Sequence, residues 1–212
     1  MTGQSRVERR KAETRHRILA AAESLILAQG LRATTVDQVA EQADVGKGTI
    51  YGYFASKEEI FAALLDQALD ADAAYMDEAF REDNGPVEQL YAVGEQYVRF
   101  CLERPGSFSI LAFPDFDRRY EQMPAAAERI ADRIELQVGR VADAITRATE
   151  SGEIHGEPDP VATARFLHGA FNGVLTFHLR TDRLHLDEQS LRTVLEQGIG
   201  LLARALFEPV EG

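Results

Sequence analysis

The chain has 212 residues, 27% charged and 45% hydrophobic, with a formal net charge of −12 at pH 7. Those proportions are ordinary for a soluble globular protein of one large or two small domains. A single cysteine, Cys101, excludes an intrachain disulfide and fits a reducing, cytoplasmic setting. The only early apolar run, Ala20 to Leu27, is interrupted by Glu23, so neither a signal peptide nor a membrane span is expected.

The acidic balance argues against nucleic acid only until the charges are placed. Residues 1–60 hold nine Lys/Arg and eight Asp/Glu, and the first 17 hold six and two. The remainder holds 14 and 27. A basic front on an acidic body is the footprint of local attraction to phosphate, with the body held off.

Residues 1–12 are polar and expected to be loose. From Glu13 to Ala28, Ile18, Ala21, Ala22, Leu25 and Ile26 repeat at helical spacing, and Gly30 is expected to end that helix. Arg15 and Arg17 near its start are candidate phosphate contacts.

Thr35 to Lys57 reads as two short helices around a tight turn. Val36, Val39 and Ala40 form one apolar face, and Thr35 with Gln38 makes a capping box. The turn is Ala43-Asp44-Val45, where Asp tolerates the left-handed backbone. The second helix is expected over Lys47 to Phe54, with Ile50 and Phe54 inward. At about 100° per residue, Gly52 then lies opposite that face and Gly48 near it. Each glycine costs roughly 1 kcal/mol of helix stability against Ala, which close approach to another surface would justify. Lys47, Thr49, Tyr51 and Tyr53 flank the bare strip. Such a helix suits the major groove of DNA, about 12 Å wide.

Ser56 and Glu59 cap the next helix, expected over Lys57 to Phe80. Lys57 sits where a positive charge opposes the helix dipole, a misfit that a phosphate contact would explain. Further helices are expected at Pro86 to Glu103, Pro124 to Thr149, Val161 to Leu179 and Leu186 to Phe207. A short aromatic stretch, Ser107 to Phe116, lies between the first two of these. No alternation suggests a strand. In the last two helices Phe166, Gly169, Ala170, Gly173 and Phe177, then Leu191, Leu195 and Leu202, are spread over a wide arc. That arc is expected to form a two-fold interface of four helices, two from each subunit.

Thr34-Thr35-Val36, Val39-Ala40, Val45 to Tyr51, Tyr53-Phe54 and Ser56-Lys57-Glu58 together resemble the DNA-binding region of the TetR family of bacterial transcriptional regulators. Asp44 departs from the family's usual Gly, and Gly46 from its frequent Ser. The resemblance implies an all-α fold: an N-terminal three-helix helix-turn-helix domain, residues 1–56, and a larger ligand-binding and dimerisation bundle, residues 57–212. It implies the same four-helix dimer, and a pocket for a small-molecule effector, for which Tyr97, Cys101, Phe113 and Asn172 are candidate lining.

No catalytic or metal motif is present. His168 and His178 with Asp182 are set aside as a metal site in favour of core or surface roles. No enzyme activity, metal or cofactor is expected. The expected function is a homodimeric repressor on a near-palindromic operator, released by a small apolar or amphipathic effector. The alternative is a regulator controlled by a protein partner. Lys47, Thr49 and Tyr51 are expected on the base side, Arg15, Thr35, Tyr53 and Lys57 on phosphate, with Gly48 and Gly52 permitting the approach.

Overall fold

The computed structural model describes residues 6–112 and 123–207, without the side chains of 202 and 204–207. Every regular element among them is helical. In chain order these are α1 (Arg6–Ala33), α2 (Val36–Gln42), α3 (Lys47–Tyr51), α4 (Lys57–Ala79), α5 (Pro86–Glu103), α6 (Pro105–Ala112), α7 (Pro124–Glu150), α8 (Pro160–Leu175), a 3₁₀ turn (Thr176–Leu179) and α9 (Glu188–Phe207). No described helix is long and apolar enough to cross a membrane.

The chain divides into two compact units. One draws on Met1–Asp70 and Gly106–Glu128, the other on Ala71–Pro105 and Arg129–Gly212. The division falls inside α4, so one uninterrupted helix carries residues of both.

In the first unit, α1 begins at Arg6 rather than near Glu13. Arg, Lys, Glu and Ala between them are good helix formers, and nothing in that stretch breaks a helix. The regular helix breaks at Gly30, as expected, at φ 81° and ψ 159°, a conformation open to Gly and strained for other residues, and the short stretch to Ala33 follows the kink. The Thr34 hydroxyl donates to the Gly30 carbonyl at 2.9 Å, closing the kink. Ile18, Leu19, Ala22, Leu31, Val39, Ala40, Ile50 and Phe54 are buried. Full burial of each large side chain contributes about 1.5–3 kcal/mol, so packing rather than propensity holds these short helices. Against α1 lies the start of α6. A Cβ on Gly106 would sit 2.4 Å from the Glu23 side chain, and the Ser107 hydroxyl donates to the Glu23 carboxylate at 3.1 Å.

In the second unit, Pro86 and Pro160 open α5 and α8 at positions where a missing N–H is no loss. The Glu88 carboxylate accepts from the Gly85 N–H at 2.9 Å, and the Asp159 carboxylate from the Ala162 N–H at 2.9 Å. Val138, Ala142, Ile145 and Ala148 of α7 pack with Ile154 and with Ala164 of α8. Their i, i+4, i+7 spacing is the apolar stripe of an amphipathic helix.

Candidate nucleic-acid interface

The turn between α2 and α3 is built as the residues dictate. Thr35 Oγ1 accepts from the Gln38 N–H at 3.3 Å, and Gln38 Oε1 accepts from the Thr35 N–H at 2.9 Å. Asp44 takes φ 51°, the left-handed conformation, and the Val45 N–H donates to the Ala40 carbonyl at 3.0 Å. Gly46 opens α3 without a side-chain cap. Residue Gly52 closes α3, so the helix stops at Tyr51 rather than running to Phe54. Gly52 itself keeps an ordinary right-handed conformation, φ −75° and ψ −15°. Phe54 still turns inward, because its N–H reaches the Ile50 carbonyl at 2.9 Å.

With Ile50 and Phe54 buried, Lys47, Gly48, Thr49, Tyr51 and Gly52 face outward, and Tyr53 is half-buried beside them. The Tyr51 ring is 51% exposed. A Cβ on Gly48 would meet nothing within 4 Å. No neighbour in the chain therefore requires glycine there. A Cβ on Gly52 would come 3.3 Å from the Thr49 carbonyl oxygen, a tight contact within its own turn.

The candidate cations have partners in the chain. Lys47 Nζ lies 2.8 Å from Asp37 Oδ1. The hydrogen bond and charge of Asp37 hold the Lys47 ammonium above its ordinary range. Lys57 Nζ donates to the backbone carbonyls of Leu31 and Thr34, each at 3.2 Å. The Arg15 guanidinium sits 5.4 Å from the centre of the Phe54 ring, a cation–π distance. The Ser56 hydroxyl accepts from the Glu59 N–H at 3.3 Å, while the Glu59 carboxylate takes the Ala55 N–H, one residue before the expected cap.

In the second unit, the Tyr97 hydroxyl donates to Asn172 Oδ1 at 2.6 Å, and Asn172 Nδ2 lies 2.8 Å from His168 Nε2. Burial pushes the Tyr97 hydroxyl well above the usual phenol range, and pushes the Cys101 thiol up to about 12. Cys101 Sγ faces the Leu175 carbonyl at 3.9 Å. Phe113 lies outside the described residues.

The sequence reading missed the rest of this polar group. Asp72 of α4 is buried and accepts from Arg133 Nε at 2.6 Å, with Gln137 beside it. Burial raises the Asp72 carboxyl, against the lowering pull of Arg133. The available signal was Asp72 on an otherwise apolar face of α4, and Arg133 with Gln137 one helical turn apart.

On α8, Phe166 is 60% exposed, Gly169 and Gly173 are exposed and Ala170 is half-buried; Phe177, in the 3₁₀ turn that follows, is exposed. Leu191 and Leu195, assigned to the dimer interface, are buried within the chain's own fold. Among the described residues the exposed large apolar side chains of α9 are Val194 and Leu201, about 80–100° around the helix from the buried pair. The Leu202 side chain lies outside the described residues. Among the described residues no three His, Cys, Asp or Glu side chains are placed to hold a metal ion. His178 Nδ1 instead lies 2.8 Å from the Leu186 carbonyl. Asp182 pairs with Arg180, whose hydrogen bond holds its carboxyl down at about 2.

Two sequence profiles match the chain. The profile of bacterial regulatory proteins of the tetR family covers residues 18–64, and that of the tetracyclin repressor-like C-terminal domain covers residues 90–202. The nucleoid occlusion factor SlmA of Actinobacillus pleuropneumoniae serotype 5b (strain L20) is 24% identical over 112 residues, 53% of this chain and 55% of that protein. The HTH-type transcriptional regulator RutR of Escherichia coli (strain K12) is 38% identical over 86 residues, 41% of this chain and 38% of RutR. The match thus spans about half the length, or less, of these relatives. The solved structure of the ketosteroid transcriptional regulator KstR2 of Mycobacterium tuberculosis superposes with a TM-score of 0.75 at 24% identity, covering 92% of this chain and 95% of that one. The helix-turn-helix at the N-terminal end and the helical unit that follows have one common account: the chain belongs to the TetR family of bacterial regulatory proteins.

Proposed function

We propose that this protein is a homodimeric, DNA-binding transcriptional repressor that works in the cytoplasm. The observation that carries the reading is α3: five residues, bared by Gly48 and Gly52, held outward by Ile50 and Phe54. No contact inside the chain calls for Gly48, and a groove wall pressed against the helix does. Lys47, Thr49 and Tyr51 reach base edges; Arg15, Thr35, Tyr53 and Lys57 set the register on phosphates. Two α3 helices related by a two-fold axis occupy successive major grooves of a near-palindrome, about 34–36 Å apart or a little more.

The exposed faces of Phe166, Gly169, Gly173 and Phe177 on α8 and its turn, with Val194 and Leu201 on α9, support the dimer. Exposed apolar and small residues gathered on one arc of a helix support an interaction surface. A small apolar or amphipathic effector in the second unit, near Tyr97, Cys101 and Asn172, releases the operator by preferring one arrangement of α4 over another. One observation favours a second reading, control by a protein partner. Tyr97 and Asn172 bond to each other, and no buried side-chain polar atom among the described residues lacks a partner.

Selection of duplexes from a random DNA pool, repeated at several salt concentrations, tests the function directly. Enrichment of a near-palindrome is expected. Enrichment that survives Lys47→Ala and Tyr51→Ala together would remove the assignment of α3. A screen of small molecules for thermal stabilisation separates the two modes of control: a stabilising ligand that releases DNA is expected for the first and excludes the second.

A further inference from the structure

Between Arg32 and Lys57 the chain has one cation, Lys47, and three carboxylates, Asp37, Glu41 and Asp44. This is the stretch that makes α2, the turn and α3. Lys47 therefore supplies all the positive charge that α3 carries toward a duplex. Its ammonium is engaged by both oxygens of a single carboxylate, Asp37 Oδ1 at 2.8 Å and Oδ2 at 3.0 Å. Asp37 stands in the first turn of α2, ten positions away, and capping by Thr35 fixes that turn. The two side chains are 51% and 69% exposed, so the pair lies open to whatever approaches α3.

We infer that Asp37 is an internal competitor for DNA phosphate: it occupies Lys47 in the free protein and lowers the affinity of α3 for duplex of any sequence. The inference rests on α3 entering the groove as proposed above: Lys47, assigned there to base edges of the operator, rests on phosphate where the duplex offers no matching base. A carboxylate and a phosphate present the same kind of anionic oxygen to an ammonium, so moving Lys47 from one to the other gains little. An exposed pair is held weakly enough for the exchange to occur on contact. Non-specific affinity comes almost wholly from such phosphate contacts, so a residue that withholds one of them acts on every sequence alike. The carboxylate also stays beside the phosphate after the exchange, where like charge repels. Asp37 thus tunes how long the protein lingers on DNA that is not its target, although it reads no base itself.

The test uses the full chain and a mixed-sequence duplex, with binding followed by fluorescence anisotropy from low to moderate salt. Asp37→Asn is compared with Asp44→Asn, which removes the same charge from the neighbouring turn and keeps a side chain suited to φ 51°. Asp37→Asn is expected to bind about two- to fivefold more tightly per α3 helix. Its salt dependence is expected to steepen by about one unit of log–log slope, while Asp44→Asn changes less. In a Lys47→Met background the difference between the two carboxylate variants is expected to vanish. Equal effects of Asp37→Asn and Asp44→Asn, or an Asp37→Asn gain that persists without Lys47, would show a general field and overturn the inference alone. If Lys47→Met by itself left duplex binding unchanged, the Lys47 contact would fall and the inference with it. Melting curves of all variants check that folding is intact, as expected for three exposed side chains.

Discussion

The Lys57 ammonium donates to the backbone carbonyl of Thr34 at 3.2 Å, bridging 23 positions of sequence. The same ammonium reaches the Leu31 carbonyl. These are carbonyls at the end of α1, where a helix leaves its last acceptors without intrahelical partners. A cation at the first turn of α4 opposes the dipole of its own helix, yet it satisfies the end of another. The misfit visible in the sequence thus has an account within the chain.

Lys57→Met should therefore lower stability as well as any DNA affinity. Two charge-assisted bonds to half-buried carbonyls contribute about 1–3 kcal/mol together. Urea unfolding should show a lower midpoint at unchanged slope. An unchanged midpoint would mean that water replaces the ammonium without loss.

Gly48→Ala should separate stability from function. The position is helical, exposed and open, so alanine should raise stability by up to about 1 kcal/mol. Duplex binding should fall at the same time, because the methyl group occupies the space the groove wall needs. Melting temperature and anisotropy on one preparation read both. Tighter binding in the more stable variant would contradict the placement of α3.

Thr35→Ala should remove the reciprocal cap of α2 and cost about 1 kcal/mol, with Thr35→Ser close to wild type. Because α2 positions Asp37 and the turn, thermal unfolding of Thr35→Ala should begin earlier in the first unit. Hydrogen exchange of amides 36–42 is the direct measurement.

Burial holds the His168 imidazole below its ordinary value of 6.5, with the charge of Asp72 opposing. The folded protein thus binds that proton less readily than the unfolded chain. The stabilisation is complete above pH 6.5 and is lost as pH falls through the depressed folded value. Asp72, raised by burial, contributes the opposite slope: its part of the stability is lost as pH rises above 3.8. Chemical unfolding between pH 7 and 5 should show His168→Gln losing less stability on acidification than the wild type. Parallel curves would mean that His168 is hydrated in the folded state.

The short-range chemistry was legible in the sequence. The Thr35–Gln38 box, the left-handed Asp44 and the inward Ile50 and Phe54 follow from spacing and backbone preference, and all stand as expected. Helix ends were less legible. Arg6 to Ala12 continues α1 because good helix formers carry a polar helix outward without any apolar stripe to announce it. The polar group of Asp72, Arg133, Gln137, His168 and Asn172 was hidden, since it joins three helices far apart in sequence. Leu191 and Leu195 were assigned to the dimer interface because periodicity identifies a wide apolar arc but not which part of it packs against the chain itself.

Cys101 is wholly enclosed, and its sulfur holds its proton until about pH 12. Alkylating reagents act on the thiolate, so at neutral pH the native sulfur is inert to them. A cysteine introduced on the outer side of α3 can then carry a fluorophore or spin label by itself, with no need to delete the natural one. Distances between two such labels would test whether two copies pair and, where they do, report the separation of their α3 helices directly.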